Sequence, residues 1–170
     1  MALSTDEITA AVPGLLRYAR SLTRDPVVAD DLVQDTVVRA LERAGDFRGE
    51  SSPRTWLHRI LHHRFVDLVR ADRTEPVDSD ELAEQVERAW QQDSYTVDGE
   101  TVVLRAERAQ ELRDAIIRLP ASYRSAVVLH DAQGLTAAQV AEVQEISLAA
   151  AKQRIARGRA MLVTHLARGT

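Results

Sequence analysis

The sequence predicts an all-α protein of two small helical domains joined by an acidic flexible linker, and three observations predict it. Apolar residues recur at helical spacing in nearly every segment, and no stretch alternates convincingly at period two. Charge is segregated along the 170 residues: 1–73 carry 11 basic and 11 acidic side chains, 74–100 carry Arg88 against nine acids, and 101–170 carry ten basic and six acidic. Caps and breakers fall where the periodic segments start and stop. The expected units are 1–73, a linker over 74–101, and 102–170.

A first helix is expected over roughly 5–23, with Leu15, Leu16, Tyr18, Ala19 and Leu22 apolar and Pro13 kinking or splitting it. Asp25-Pro26 then reads as an N-cap followed by proline at the first helical position. The helix it opens, VVADDLVQDTVVRALERA, ends near Gly45. A third runs from about Pro53 to Arg70, its buried stripe Leu57, Ile60, Leu61, Phe65 and Leu68. The acidic segment is poor in large apolar residues and reads as flexible, with a helical turn around 80–91.

The second unit opens near Val102 with a helix to Arg118, a break at Leu119-Pro120, another helix to about Asp131, and then Gly134. Thr136 and Gln139 fit a capping box, and Leu135 with Val140 fits a hydrophobic staple. The short helix TAAQVAEV, the tight connection QEIS and a long helix from Leu148 to about Ala167 make a helix-turn-helix pattern.

Composition excludes several functions. There are no cysteines, so thiol catalysis, thiolate metal sites and disulfides are absent. No apolar run approaches the ~20 residues of a membrane span. MALSTDEITAAVPG lacks the basic start and apolar stretch of a secretory signal, so a cytoplasmic location is expected. The chain has no P-loop, GxSxG, HExxH or glycine-rich dinucleotide turn, which argues against an enzyme, and no cofactor is expected. His58 and His62, at i and i+4, have no obvious third ligand, so no metal site is expected either.

Two helices are loaded for nucleic acid. From Ser147 to Arg168 there are five basic residues and no acid. On a wheel, Leu148, Ala151, Ile155, Leu162 and Leu166 face inward. Ala149, Ala150, Gln153, Arg154, Arg157 and Ala160 face out, as a recognition helix in a major groove requires. Residues 51–70 hold four Arg and three His against one acid, Asp67. Thr55, His58, Arg59, His62, His63 and Arg70 gather opposite the apolar stripe, with Arg73 extending them, a surface suited to phosphate and to unstacked bases. The preceding FRGESSPR offers Gly49 for close backbone approach and Ser51 and Ser52 as small hydrogen-bonding groups. Trp56 sits at the stripe's edge and reads as core, and Arg64 inside the stripe reads as snorkelling.

DPVVADDLVQDTVVRALERAGDFRGESSPRTWLHRILHHRFVDLVR resembles the second region of extracytoplasmic-function bacterial sigma factors, over residues 15–73. Residues 112–166 resemble that group's fourth region. The resemblance implies a factor that binds core RNA polymerase and directs it to promoter DNA. Asp31, Leu32, Gln34 and Asp35 would dock on the polymerase clamp. Arg48, Ser51, Ser52, Arg54, His58, Arg59, His62, His63 and Arg70 would hold the melted −10 element. Ala149, Ala150, Lys152, Gln153, Arg154 and Arg157 would read the −35 element. An anti-sigma factor is the implied regulatory partner, and neither a membrane nor a small-molecule substrate is implied.

Departures from the family cluster at the helix-turn-helix. Glu145 stands where Gly is usual, tolerable if that residue avoids positive φ, and Ala149-Ala150-Ala151 replace Gly-Thr-Val. Two other functions fit parts of the pattern: a sigma-like decoy that binds an anti-sigma factor without promoter recognition, and a helix-turn-helix repressor, which leaves residues 1–73 without a role.

Overall fold

The computed structural model describes residues 2–72 and 109–168, so the expected acidic linker, its helical turn and Arg73 lie outside the described residues. Helix α1 (Thr5–Leu22) opens on a reciprocal cap. Ser4 Oγ accepts from the Glu7 N–H at 3.2 Å, and the Ser4 N–H donates to the Glu7 carboxylate at 2.8 Å. Pro13 lies inside α1 without splitting it. Its ring is exposed, and Ile8 and Leu15 anchor the helix in the core on either side, so the one missing backbone donor is tolerated. Helix α2 (Pro26–Glu42) starts as expected, Asp25 accepting from the Val27 N–H at 2.9 Å. A 3₁₀ turn (Ala44–Asp46) and a loop turning at Gly49, φ 75°, lead into α3 (Pro53–Asp72).

The second block begins with α4 (Ala109–Ile117) and, beyond Leu119-Pro120, α5 (Ala121–Val127). A π-helical turn (Val128–Ala132) and Gly134, φ 72°, redirect the chain. Thr136 then caps α6 (Ala137–Gln144) in the expected box, its Oγ1 accepting from the Gln139 N–H at 3.1 Å. Helix α7 (Leu148–Arg168) follows after the turn, with Ser147 Oγ accepting from the Ala150 N–H at 3.1 Å.

Helices α1, α2 and α3 pack on one another, and α7 is packed on by α4, α5 and α6. The two blocks also pack together, chiefly α3 on α6 and α1 on α4 and α5. One apolar cluster runs through both, from Leu15, Leu22, Leu57, Leu61 and Phe65 to Leu129, Val140, Val143 and Ile155. A smaller cluster of Ala115, Leu119, Val127 and Leu162 joins α4, α5 and α7.

Two residues of α7 depart from the wheel. Leu148 is exposed, because it occupies the first turn ahead of Ala151, where the helix becomes buried. Ala160 is buried rather than outward, because three helices cover α7 and its inner face is wider than one stripe. At Gly158 the helices cross so closely that a Cβ would lie 2.5 Å from Val127 Cγ2.

Candidate nucleic-acid interface

The residues expected at the −10 element divide into an open set and a covered set. In the loop, Arg48 is exposed and Ser51 half-buried. Ser52 is exposed but also caps α3, its Oγ accepting from the Thr55 N–H at 3.1 Å and donating to Thr55 Oγ1 at 2.9 Å. Gly49 faces open space, so its glycine serves the positive φ rather than a close approach within the chain. Trp56 meets Phe47 edge-on, centroids 5.5 Å apart, and is partly buried against the core. Along α3, Arg54, His63 and Arg70 are exposed and Arg59 is half-buried.

His58 and His62 are the covered set, at 1% and 3% exposure, and so do not stand on an open face as expected. The physical reason is the second block. The His62 Nδ1 lies 2.9 Å from Ser125 Oγ and 3.4 Å from the Tyr18 hydroxyl, which is itself 2.7 Å from Ser125 Oγ. Ser125 Oγ thus bridges the Tyr18 hydroxyl and the His62 Nδ1 in one buried hydrogen-bonded cluster. Burial pushes the His62 imidazole down to about 3, and the neighbouring His63 and Arg154 charges push the same way. Burial raises the Tyr18 phenol against the opposing effect of the Ser125 bond.

His58 donates from Nδ1 to the Arg54 carbonyl at 2.8 Å, stacks on Tyr18 with centroids 5.3 Å apart, and faces the Gln133 side chain at 3.4 Å. Burial lowers its pKa as well. Arg54 donates to the Gln133 carbonyl. Sequence reasoning missed Ser125, Gln133 and Arg124 as partners of this face. Arg124, 4% exposed, donates to the Leu22 carbonyl at the end of α1 at 2.8 Å, and to the Ile117 and Leu119 carbonyls at 2.9 and 2.8 Å.

The residues expected at the −35 element lie together on the first turns of α7. Ala149, Lys152 and Gln153 are exposed, and Ala150, Arg154 and Arg157 are half-buried. Arg154 donates to the Gln144 side chain at 3.1 Å, and Gln144 donates to the Ser122 carbonyl at 2.9 Å, so the recognition arginine is held against the preceding helix. The turn between α6 and α7 does require positive φ: Glu145 sits at φ 55°, ψ 48°. The Ile146 N–H returns to the Ala141 carbonyl at 3.0 Å, and that closure forces the left-handed residue.

A groove of about 490 Å³ between α2 and α3 brings together three of the four expected polymerase-facing residues. Asp31, Leu32 and Asp35 line it from α2; Arg64, Asp67 and Leu68 line it from α3. Asp31 is exposed, while Leu32 is 6% exposed and forms the groove's floor. Gln34 is exposed but outside the lining, beside the exposed apolar residues Val38 and Leu41. Arg64 pairs with Asp35 and, at 3.2 Å, with Asp67, so it serves the groove wall instead of merely snorkelling.

Comparison with known proteins places this architecture. Residues 8–75 match Sigma-70 region 2, and residues 109–162 match Sigma-70, region 4. The chain is similar to the ECF RNA polymerase sigma factor SigM of Mycobacterium tuberculosis, at 34% identity over 87% of this chain and 69% of the relative. It is also similar to the ECF RNA polymerase sigma factor EcfG of Rhodopseudomonas palustris, at 33% identity over 92% and 81%. Among solved structures, the fold is like that of the sigma factor RpoE in complex with the anti-sigma factor NepR from Bartonella quintana. That likeness has a TM-score of 0.69 at 24% identity, over 95% of this chain and 94% of the other. CnrH in complex with the cytosolic domain of CnrY gives a TM-score of 0.62 at 23% identity, over 96% and 97%. With both regions present in order and relatives above 30% identity matched over most of their length, the chain belongs to the ECF RNA polymerase sigma factors.

Proposed function

We propose that the chain acts as a cytoplasmic alternative sigma factor whose three surfaces are those laid out above. The α2–α3 groove with Asp31, Leu32 and Asp35, together with Gln34, docks on core RNA polymerase. The 48–54 loop and the basic face of α3 hold the melted −10 element, and the start of α7 reads the −35 element as duplex. The functional units run over 1–73, 74–101 and 102–170. The observation that carries this is α7: its exposed Lys152 and Gln153 and half-buried Arg154 and Arg157 stand on a helix-turn-helix with no acid from Ser147 to Arg168. A helix that carries basic residues and no acid of its own suits a phosphate backbone, and Arg and Gln supply base-edge donors.

No bond is made or broken by such a factor. Its work is differential binding: contacts to unpaired bases become available only once the duplex opens, so binding energy favours the melted promoter. An anti-sigma factor is the proposed regulatory partner. No described helix is long and apolar enough to cross a membrane.

Run-off transcription with core RNA polymerase on a pool of the host's promoter fragments tests the proposal. Initiation that depends on the chain supports it, and the fragments selected define the −10 and −35 sequences. The alternative is a decoy that binds an anti-sigma factor without reading promoters, and the covered His58–His62 face is the observation in its favour. Failure of run-off initiation together with failure to bind core polymerase would select the decoy.

A further inference from the structure

The first turns of α7 present a surface whose chemistry is narrower than positive charge alone. Between Leu148 and Ala156 the exposed residues are Leu148, Ala149, Lys152, Gln153 and Ala156. Ala149, Gln153 and Ala156 follow one another at spacings of four and three, so they form one row along the helix. We propose that this row selects an A·T base pair in the −35 element, Gln153 reading the adenine edge while Ala149 and Ala156 meet thymine methyl groups beside it. This preference rests on the reading of α7 as the −35 helix.

The direction of the row is fixed by what lies behind it. Ala151 and Ile155 are 0% and 5% exposed, and Leu162 continues them into the core. At Gly158 the crossing with α5 leaves no room for a side chain. The helix is therefore held against rolling, and the same strip faces any duplex that docks. Arg154 and Arg157 lie to one side of the strip, half-buried, and Arg154 donates back to the Gln144 side chain at 3.1 Å.

Gln153 makes no hydrogen bond among the described residues, so its amide is uncommitted. A carboxamide sets a donor and an acceptor side by side in one plane. In the major groove adenine offers the complement, an acceptor at N7 and a donor at N6, whereas guanine offers two acceptors and cytosine one donor. Lys152 has donors only, so it serves phosphate or guanine and does not compete for adenine. The two alanines offer a base edge nothing but a methyl group, which suits the thymine C5-methyl. From Ala149 to Ala156 the helix rises about 10.5 Å, roughly three base-pair steps, so the row covers a short run with the adenine inside it.

The test uses holoenzyme assembled from the full chain and core RNA polymerase. The probe is a promoter fragment recovered by run-off transcription, its −35 positions randomised and its −10 element kept. Sequencing of the bound fraction should show adenine enriched at one −35 position, about five- to 150-fold over other bases. Gln153→Glu should move that enrichment to cytosine at the same position, because a carboxylate accepts from the cytosine amino group. Gln153→Ala should abolish it and leave the preferences at other positions as they were. A merely structural role would lower binding at every position and could not exchange one base for another. Adenine still preferred by both variants would overturn the assignment of Gln153.

Base analogues then test the individual atoms. With 7-deaza-adenine at that position, the unaltered chain should bind roughly two- to twelvefold more weakly, the loss of one hydrogen bond. Gln153→Ala should not respond, since variant and analogue remove the same contact, and an equal loss in both would overturn the N7 bond. Deoxyuridine in place of a neighbouring thymine deletes only the methyl group and should weaken binding about fourfold. No response at any −35 thymine would overturn the role of the alanines. A randomised pool that returns no preference at any −35 position would remove α7 from the promoter, and the base assignment with it.

Discussion

Acidification should destabilise this fold through one buried imidazole, and the size of the effect follows from its surroundings. His62 is 3% exposed, and burial pushes its pKa down to about 3, against 6.5 for a free histidine. Between those values the unfolded chain binds a proton that the folded chain refuses. The stability it represents is therefore complete above about pH 6.5 and is lost as pH falls toward 3. At about pH 5.5 the unfolded chain gains roughly an elevenfold advantage, about 1.4 kcal/mol, and at about pH 7.5 almost none. His58, lowered by burial too, acts in the same direction. Urea and thermal unfolding followed by circular dichroism at the two pH values should show a melting-temperature drop of about 3–6 °C. In His62→Phe most of that pH dependence should vanish, whatever its baseline stability. An unaltered chain that loses no stability over this interval, or a His62→Phe chain that keeps the full loss, would refute a neutral His62 sealed between the blocks.

Three further outcomes follow from the geometry. Gly158→Ala should destabilise by about 1–2 kcal/mol despite alanine's better helix propensity, because the new Cβ meets Val127 Cγ2 at 2.5 Å; equal or higher stability in urea would contradict that crossing. Arg154→Ala and Arg157→Ala should each weaken binding to a −35 duplex by about 1–3 kcal/mol if they contact bases, measured by fluorescence anisotropy, and unchanged affinity for both would remove the −35 assignment. Asp31→Lys should impair co-purification with core polymerase without unfolding the chain, since Asp31 is exposed. Asp35→Lys should impair both, because Asp35 also pairs with Arg39 and Arg64, and a fully retained polymerase interaction in both variants would count against the groove.

Helix order, the Asp25 and Thr136 caps, the breaks at Gly134 and Leu119-Pro120 and the helix-turn-helix were all legible, because each is a local signal of spacing or turn chemistry. The covered face of α3 was half legible. Val66 and Val69 fall within about 80° of Thr55, His58 and His62 on a helical wheel, and all five are buried. Two valines in line with two histidines mark a second inner face. Grouping the histidines with Arg59 and Arg70 as one solvent surface hid it. What covers that face was not legible: Tyr18 and Ser125 are 107 residues apart, and no periodicity encodes such a pairing. The conformation of Glu145 was posed correctly as a question of φ, and only the three-dimensional turn could answer it.

The boundary between the blocks joins a shared apolar cluster to a set of polar contacts, so parting the blocks would cost both kinds of interaction. Parting the blocks breaks the Arg124 bond to the Leu22 carbonyl but leaves those to Ile117 and Leu119, which belong to the second block. Tyr18 and His62 stay neighbours within the first block, and Gln144 keeps both Ser122 and Arg154 within the second. Water replaces the severed polar contacts, so each costs only about 0.5–1.5 kcal/mol net. Unfolding either block would instead expose leucines such as Leu57 and Leu61, or Leu119 and Leu129, at about 1.5–3 kcal/mol for each side chain. A partner that binds the separated blocks must therefore supply both that polar sum and the apolar area that the boundary re-exposes.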